Sequence, residues 1–109
     1  MSWQVRYLPE AEKDLRSLAR NQQMTVRKAI DKVRENPLPQ NEGGYGKPLG
    51  SKQGVNLTGF LKSKLRREGL RVVYQLIRKD GQMLIVVIGV REDEEVYQIA
   101  GKRKDRYQL

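Results

Sequence analysis

Apolar and polar positions change period along the first third of the chain. Trp3, Val5 and Tyr7 alternate with Gln4 and Arg6, the period-2 pattern of a short strand. Pro9 suits the first turn of a helix, and Glu10 and Glu12 stand where the helix dipole favours negative charge. Ala11, Leu15, Leu18 and Ala19 then recur at helical spacing. Asn21 is expected to break this helix, and Val26, Ala29, Ile30 and Val33 give a second apolar stripe that stops at Asn36-Pro37. The pattern predicts two antiparallel helices joined by a short turn, with their lysines and arginines on ordinary solvated faces.

Residues 37–56, with three prolines and five glycines, show no period and read as a loop. A loop of that length in a compact domain is commonly functional or mobile. Lys47 and Lys52 either extend a basic surface toward a phosphate backbone or are incidental. The glycines do not carry the GxxxxGK[ST] or GxGxxG spacing of a phosphate-binding loop.

Residues 57–97 organise the rest. Period 2 puts Phe60, Lys62, Lys64 and Arg66 on one face of a strand and Leu57, Leu61 and Leu65 on the other. The leucines require a core, so the lysines face elsewhere. LRVVYQLIR reads as a second strand; a two-residue hairpin at Glu68-Gly69 would set Lys64 opposite Val73 and Arg66 opposite Arg71. Arg71 then shares the lysine face. Phe60 on that face is expected to be partly buried beneath the loop, and Tyr74 to lie in the core with Val72 and Leu76. Asp80-Gly81 marks another turn, and MLIVVIGV is apolar enough for a strand covered on both sides. A three-residue loop there places Arg91 opposite Arg71; a two-residue loop places it opposite Leu70, on the wrong face. The three-residue loop is the expectation adopted. Asp93 is expected to cap a short final helix that buries Val96, Ile99 and Ala100, followed by a basic tail free to fray.

At 109 residues the chain is expected to form a single domain, residues 1–109, with a core that needs no disulfide or metal. Cysteine and histidine are both absent, which removes thiol nucleophiles, imidazole bases and Cys/His zinc sites. Acid/base chemistry must come from Lys, Arg, Tyr, Asp or Glu, and no cofactor is implied. With neither a signal peptide nor a span-length apolar run, a cytoplasmic location is expected. Charge locates the interesting surface. Of the net +9, residues 47–79 hold nine Lys or Arg against one Glu, a localised excess of +8. Such a patch fits a polyanion, nucleic acid before an acidic protein. Like charges set close together also cost stability, so Lys62, Lys64, Arg71 and Arg91 as a set suggest function.

FLKSKLRREGLRVVYQ and VIGVREDEEVY, in this order of elements, resemble the RelE branch of the RelE/ParE toxin superfamily over nearly the full chain. The resemblance implies an α+β fold, β-α-α-β-β-β-α, with a small antiparallel sheet of mixed edge, two N-terminal helices on one face and a short C-terminal helix. It implies a ribosome-dependent endoribonuclease that cuts messenger RNA in the ribosomal A site. Lys64, assisted by Lys62, would take the proton from the ribose 2′-hydroxyl, and Arg71 would stabilise charge on the phosphate. Arg91 would serve the leaving 5′-oxygen and Tyr97 would stack on the RNA. Arg66 and Arg67, by their own place flanking the turn, are expected to contact phosphate or ribosomal RNA, the alternative being ordinary exposed turn residues. The partners implied are a cognate antitoxin, messenger RNA and the ribosome with its 16S rRNA; no membrane is involved. On physical grounds a lysine acts as a base where neighbouring cations destabilise its ammonium form, and the same cations would stabilise a pentavalent phosphate. Where some RelE-type sequences carry a lysine before the RE pair and a basic residue two places after the arginine, this chain has Val90 and Asp93. Two rivals remain open: a non-enzymatic toxin on the same fold, like ParE inhibitors of DNA gyrase, and a nucleic-acid-binding module without chemistry.

Overall fold

The computed structural model describes residues 2–52, 54–65, 69–90 and 92–109. Its elements are β1 (Gln4–Tyr7), α1 (Pro9–Arg16), α2 (Arg20–Val33), β2 (Lys47–Lys52), β3 (Val55–Leu65), β4 (Leu70–Ile77), β5 (Gln82–Gly89) and α3 (Asp93–Tyr107). The five strands form one sheet in the order β1-β5-β4-β3-β2, with β1 parallel to β5 and every other pair antiparallel. This is the α+β architecture expected, with one strand added. No helix among the described residues is long and apolar enough to cross a membrane.

The added strand is β2, inside the segment read as loop. KPLGSK has little strand propensity of its own, and only Leu49 in it is buried. Pairing makes it a strand. An edge position tolerates Pro48, whose missing N–H is not needed there. The first helix break also falls earlier than Asn21, at residues 17–19. The Ser17 hydroxyl donates back to the Asp14 carbonyl at 2.7 Å, and Gln22 Oε1 accepts the Ala19 N–H at 3.1 Å, so α2 starts at Arg20.

Both faces of the sheet are covered. Ala29, Ile30 and Val33 of α2 pack near Ser63, Val72 and Met83, and α3 covers the other face through Val96, Tyr97 and Ala100. Phe60 and Tyr74 are fully buried, Phe60 more deeply than its place beside the lysines suggests. The Tyr74 hydroxyl donates to the Pro37 carbonyl at 2.9 Å, tying the segment that follows α2 to the sheet, and burial pushes its pKa up. Replacing Tyr74 by Phe leaves a buried carbonyl without this donor. A loss of about 1–2 kcal/mol in a urea melt is expected.

The final helix is longer than the short one expected, because the basic tail is part of it. Gly101 lets α3 lie against β3, since a Cβ there would meet Val55 Cγ1 at 2.6 Å. Lys104 Nζ donates to the Asn56 carbonyl at 2.7 Å, and Tyr107 and Arg106 both reach Glu10 of α1. These contacts hold the tail down.

β1 pairs with β5 only as far as Ile85, which leaves an open edge beyond it. Side chains continue the ladder there. Asp14 Oδ2 accepts the Ile88 N–H at 3.1 Å, and Arg103 Nη1 donates both to the Val86 carbonyl at 2.8 Å and to Asp14 Oδ2 at 2.7 Å. One ion pair thus closes the sheet edge and joins α1 to α3.

Candidate functional site

β3 and β4 pair as Lys64 with Arg71, Lys62 with Val73 and Leu65 with Leu70. The two-residue hairpin predicts Lys64 opposite Val73 and Arg66 opposite Arg71, so the observed register is offset by two positions. An offset of two keeps every side chain on its face. Lys62, Lys64 and Arg71 therefore share one side of the sheet, as expected, and Lys64 and Arg71 are direct cross-strand neighbours. β4 and β5 differ similarly. The turn is a 3-10 turn over Arg78–Asp80 closed by Gly81 at φ +63°, and a bulge leaves Val86 as an extra residue between the pairs Val73–Val87 and Tyr74–Ile85. Gly89, not Arg91, stands opposite Arg71. Arg91, Arg66 and Arg67 themselves lie outside the described residues.

The three cations have different surroundings. Lys62 is 6% exposed, and a buried ammonium requires partners. It has three: the Tyr97 hydroxyl at 2.8 Å, Asp93 Oδ2 at 3.7 Å, and the Tyr97 ring, whose centroid is 5.3 Å away. Tyr97 is itself 5% exposed, so in this geometry it braces Lys62 and offers little ring surface to a base. Arg71 is largely buried, donating through Nε to Asp93 Oδ1 and through Nη1 to the Gly69 carbonyl at 2.9 Å. Lys64 is exposed, its ammonium turned to solvent beside the other two.

Asp93 opens α3 and sits where its charge meets the positive end of the helix dipole. Its carboxylate bridges Arg71 and Lys62. Partial burial raises the carboxyl's pKa, but the hydrogen bond from Arg71 and the charges of Lys62, Arg71 and Lys64 outweigh it, holding the group below the usual carboxylate range. A depressed folded-state pKa gives a stabilisation that is complete above the unfolded value, about 3.9, and is lost as pH falls through the lower folded value. Asp93→Asn is therefore expected to melt slightly below the parent chain at pH 7. The gap, kept small by water around the partly exposed carboxylate, closes in thermal melts as pH falls through the lowered folded-state value.

β2 begins at Lys47, directly opposite Lys62, so the edge of β3 beyond that pair carries no strand partner in the β2 register. A groove of about 460 Å³ opens there, between the C-terminal half of α2 and the start of α3. Lys47, Lys62, Lys64 and Asp93 line it, with Lys32 of α2 and Tyr45 of the loop. The structure thus brings Lys47 to the candidate site and leaves Lys52 at the opposite end of β2. Lys32 and Tyr45 are the residues that sequence reasoning missed. Lys32 looks like one more solvated helix charge, and Tyr45 falls in a segment without period. A lone aromatic between glycines was the available signal.

The arrangement suits a phosphodiester: an exposed amine, a buried cationic pair behind it, and a basic channel leading in. Comparison with known proteins agrees in kind. Residues 5–97 match the family model described as the ParE toxin of the type II toxin-antitoxin system parDE. An Escherichia coli protein named as a RelE-like toxin is 30% identical over 103 residues, covering 94% of this chain and 98% of its own. Among solved structures, an arginine-to-alanine double mutant of E. coli RelE in its free state superposes with a TM-score of 0.71 at 27% identity, over 94% of this chain and 98% of that one. The same mutant bound to an antitoxin RelB peptide gives 0.68 at 26% identity, over 92% and 95%. The family model carries the ParE name, whereas these whole-chain likenesses are to RelE. The chain belongs to the RelE/ParE superfamily of type II toxins, on its RelE branch.

Proposed function

We propose that this toxin is a metal-independent endoribonuclease that cuts messenger RNA in the ribosomal A site. The observation that carries the reading is the grouping of exposed Lys64 with Arg71 across the strand pair and with Lys62 braced by Tyr97. Lys64, in its neutral form, takes the proton from a ribose 2′-hydroxyl; the 2′-oxygen attacks the adjacent phosphorus as the bond to the 5′-oxygen breaks. Arg71 and Lys62 stabilise the charge that builds on the phosphoryl oxygens. Arg91 supplies the proton or the neutralising charge to the leaving 5′-oxygen, and the products are a 2′,3′-cyclic phosphate, or the 3′-phosphate from its hydrolysis, and a 5′-hydroxyl. Tyr97 positions Lys62. Asp93 holds Arg71 and Lys62 when no RNA is bound and must yield part of that contact to the scissile phosphate.

An arginine is a weak acid, and Asp93 lowers the local positive charge. Both favour an enzyme that relies on the ribosome to set the RNA for in-line attack, a positioning effect. Lys47, Lys52, Arg66 and Arg67 are assigned to RNA or 16S rRNA contacts, a cognate antitoxin is the neutralising partner, and the cytoplasm is the place of action. The structure of the RelE mutant with an antitoxin peptide supports the antitoxin assignment.

The match to the ParE family model favours one second reading, inhibition of DNA gyrase. Two assays separate them. Purified toxin added to a cell-free translation reaction and to a gyrase supercoiling reaction is expected to stop protein synthesis and leave supercoiling unchanged. Blocked supercoiling with normal translation would establish the second reading and end the first.

A further inference from the structure

Tyr45 is an aromatic side chain that the fold holds out of its core. It is 48% exposed on the wall of the Lys62–Lys64 groove, and Lys32 Nζ lies 5.6 Å from its ring centroid. The backbone beneath it is fixed. The Tyr45 N–H donates to the Asn36 carbonyl at 3.0 Å, the Gly46 N–H to Leu38 at 3.0 Å, the Gly44 N–H to Pro39 at 3.1 Å, and Asn36 Nδ2 to the Gly43 carbonyl at 3.1 Å. The glycines on either side are set by close approach. A Cβ at Gly44 would meet the Leu38 carbonyl oxygen at 2.0 Å, and one at Gly46 the Tyr74 hydroxyl at 2.3 Å. A ring pre-set in this way, beside lysines, has the make-up of a stacking platform for single-stranded nucleic acid: a π-face for a base and cations for its phosphates.

We infer that Tyr45, with Lys32 and Lys47, forms a nucleobase subsite of the groove, where a base flanking the scissile phosphate of single-stranded RNA stacks on the Tyr45 ring. The inference rests on the proposed RNase reading and names a contact within it. It also assigns the base contact to an exposed ring, since Tyr97 is turned inward to Lys62. An acidic protein segment would meet the lysines equally well, but it has less use for a rigid aromatic face.

The test is fluorescence anisotropy at low salt with a short labelled RNA oligonucleotide. It uses the parent chain, Tyr45→Ala and Tyr45→Phe, and a series of the same oligonucleotide with an abasic site moved along it. Tyr45→Ala is expected to weaken binding about 5- to 100-fold, the range for losing one stacked base, while Tyr45→Phe binds like the parent. One abasic position is expected to weaken the parent and leave Tyr45→Ala no weaker than it already is. That coupling is a readout no structural role of Tyr45 would give. Unchanged binding by Tyr45→Ala overturns the subsite, as does absence of RNA binding by the parent. Equal loss at every abasic position would make Tyr45 a support for phosphate contacts, and loss of antitoxin binding with RNA binding intact would make this a protein-docking surface; either overturns it. The RNase reading fails separately, by absence of A-site cutting.

Discussion

Lys64→Ala is expected to lower ribosome-dependent cutting by at least about a hundredfold, within the range for loss of a general base. The melting temperature should stay within about a degree of the parent's, because exposed side chains away from special features contribute within about 0.5 kcal/mol. The contrast with Lys62 makes the experiment informative. Lys62 is buried against Tyr97 and Asp93, so its removal strands a buried hydroxyl and loosens the start of α3; activity and stability fall together. Lys64 has surrounding cations and solvent, so it separates chemistry from folding. Lys64→Arg is a useful partner variant. It keeps the charge for RNA binding and replaces the amine assigned as the base with a guanidinium that stays protonated, so binding is retained and cutting is lost.

The largest stability effect is expected at Asp14. Asp14→Ala removes the acceptor of the Ile88 N–H and the partner of Arg103, both side chains being less than one-fifth exposed at 13% and 15%. Breaking one side of a buried, hydrogen-bonded pair costs about 3–5 kcal/mol, a large share of the roughly 5–15 kcal/mol that holds a domain folded. A fall in melting temperature of about 15 °C or more is expected in a thermal scan. Asp14→Asn keeps an acceptor for the backbone N–H and should recover part of the loss. If Asp14→Ala melts with the parent, the open edge of β5 is held by its apolar contacts alone.

These two positions also mark what was legible in the sequence. The cationic face was readable because strand alternation has period 2. The β3–β4 register is offset by two residues from the one predicted, yet Lys62, Lys64 and Arg71 remain together. The same rule could not set how far each strand extends. A four-residue turn and a bulge at Val86 put Gly89 opposite Arg71, where Arg91 was expected. β2 was hidden because Pro48 and Gly50 carry no strand signal, and neighbour pairing alone makes the element. The length of α3 was hidden in the same way. Its basic second half finds its partners on other elements: Val55 and Asn56 of β3 on one side, Val86 of β5 and Asp14 and Glu10 of α1 on the other. Asp93 was visible as a departure from the family pattern, but its meaning was not. Composition shows a carboxylate in a basic segment, whereas the fold turns it into the counter-ion of Arg71 and Lys62. Lys32 and Tyr45 meet only through tertiary packing, so spacing along the chain gives no hint of the groove they share with Lys47 and Lys64.

The central claim, that the Lys62–Lys64–Arg71 face cuts messenger RNA on the ribosome, is tested most directly by primer extension. A defined messenger RNA is incubated with purified toxin, alone and on ribosomes paused with an empty A site, and the parent is run beside Lys64→Ala. New 5′ ends are expected within the A-site codon only in the ribosome sample with the parent toxin, and none with the variant. Equal cutting by Lys64→Ala, or no cutting by the parent in either sample, would contradict the claim.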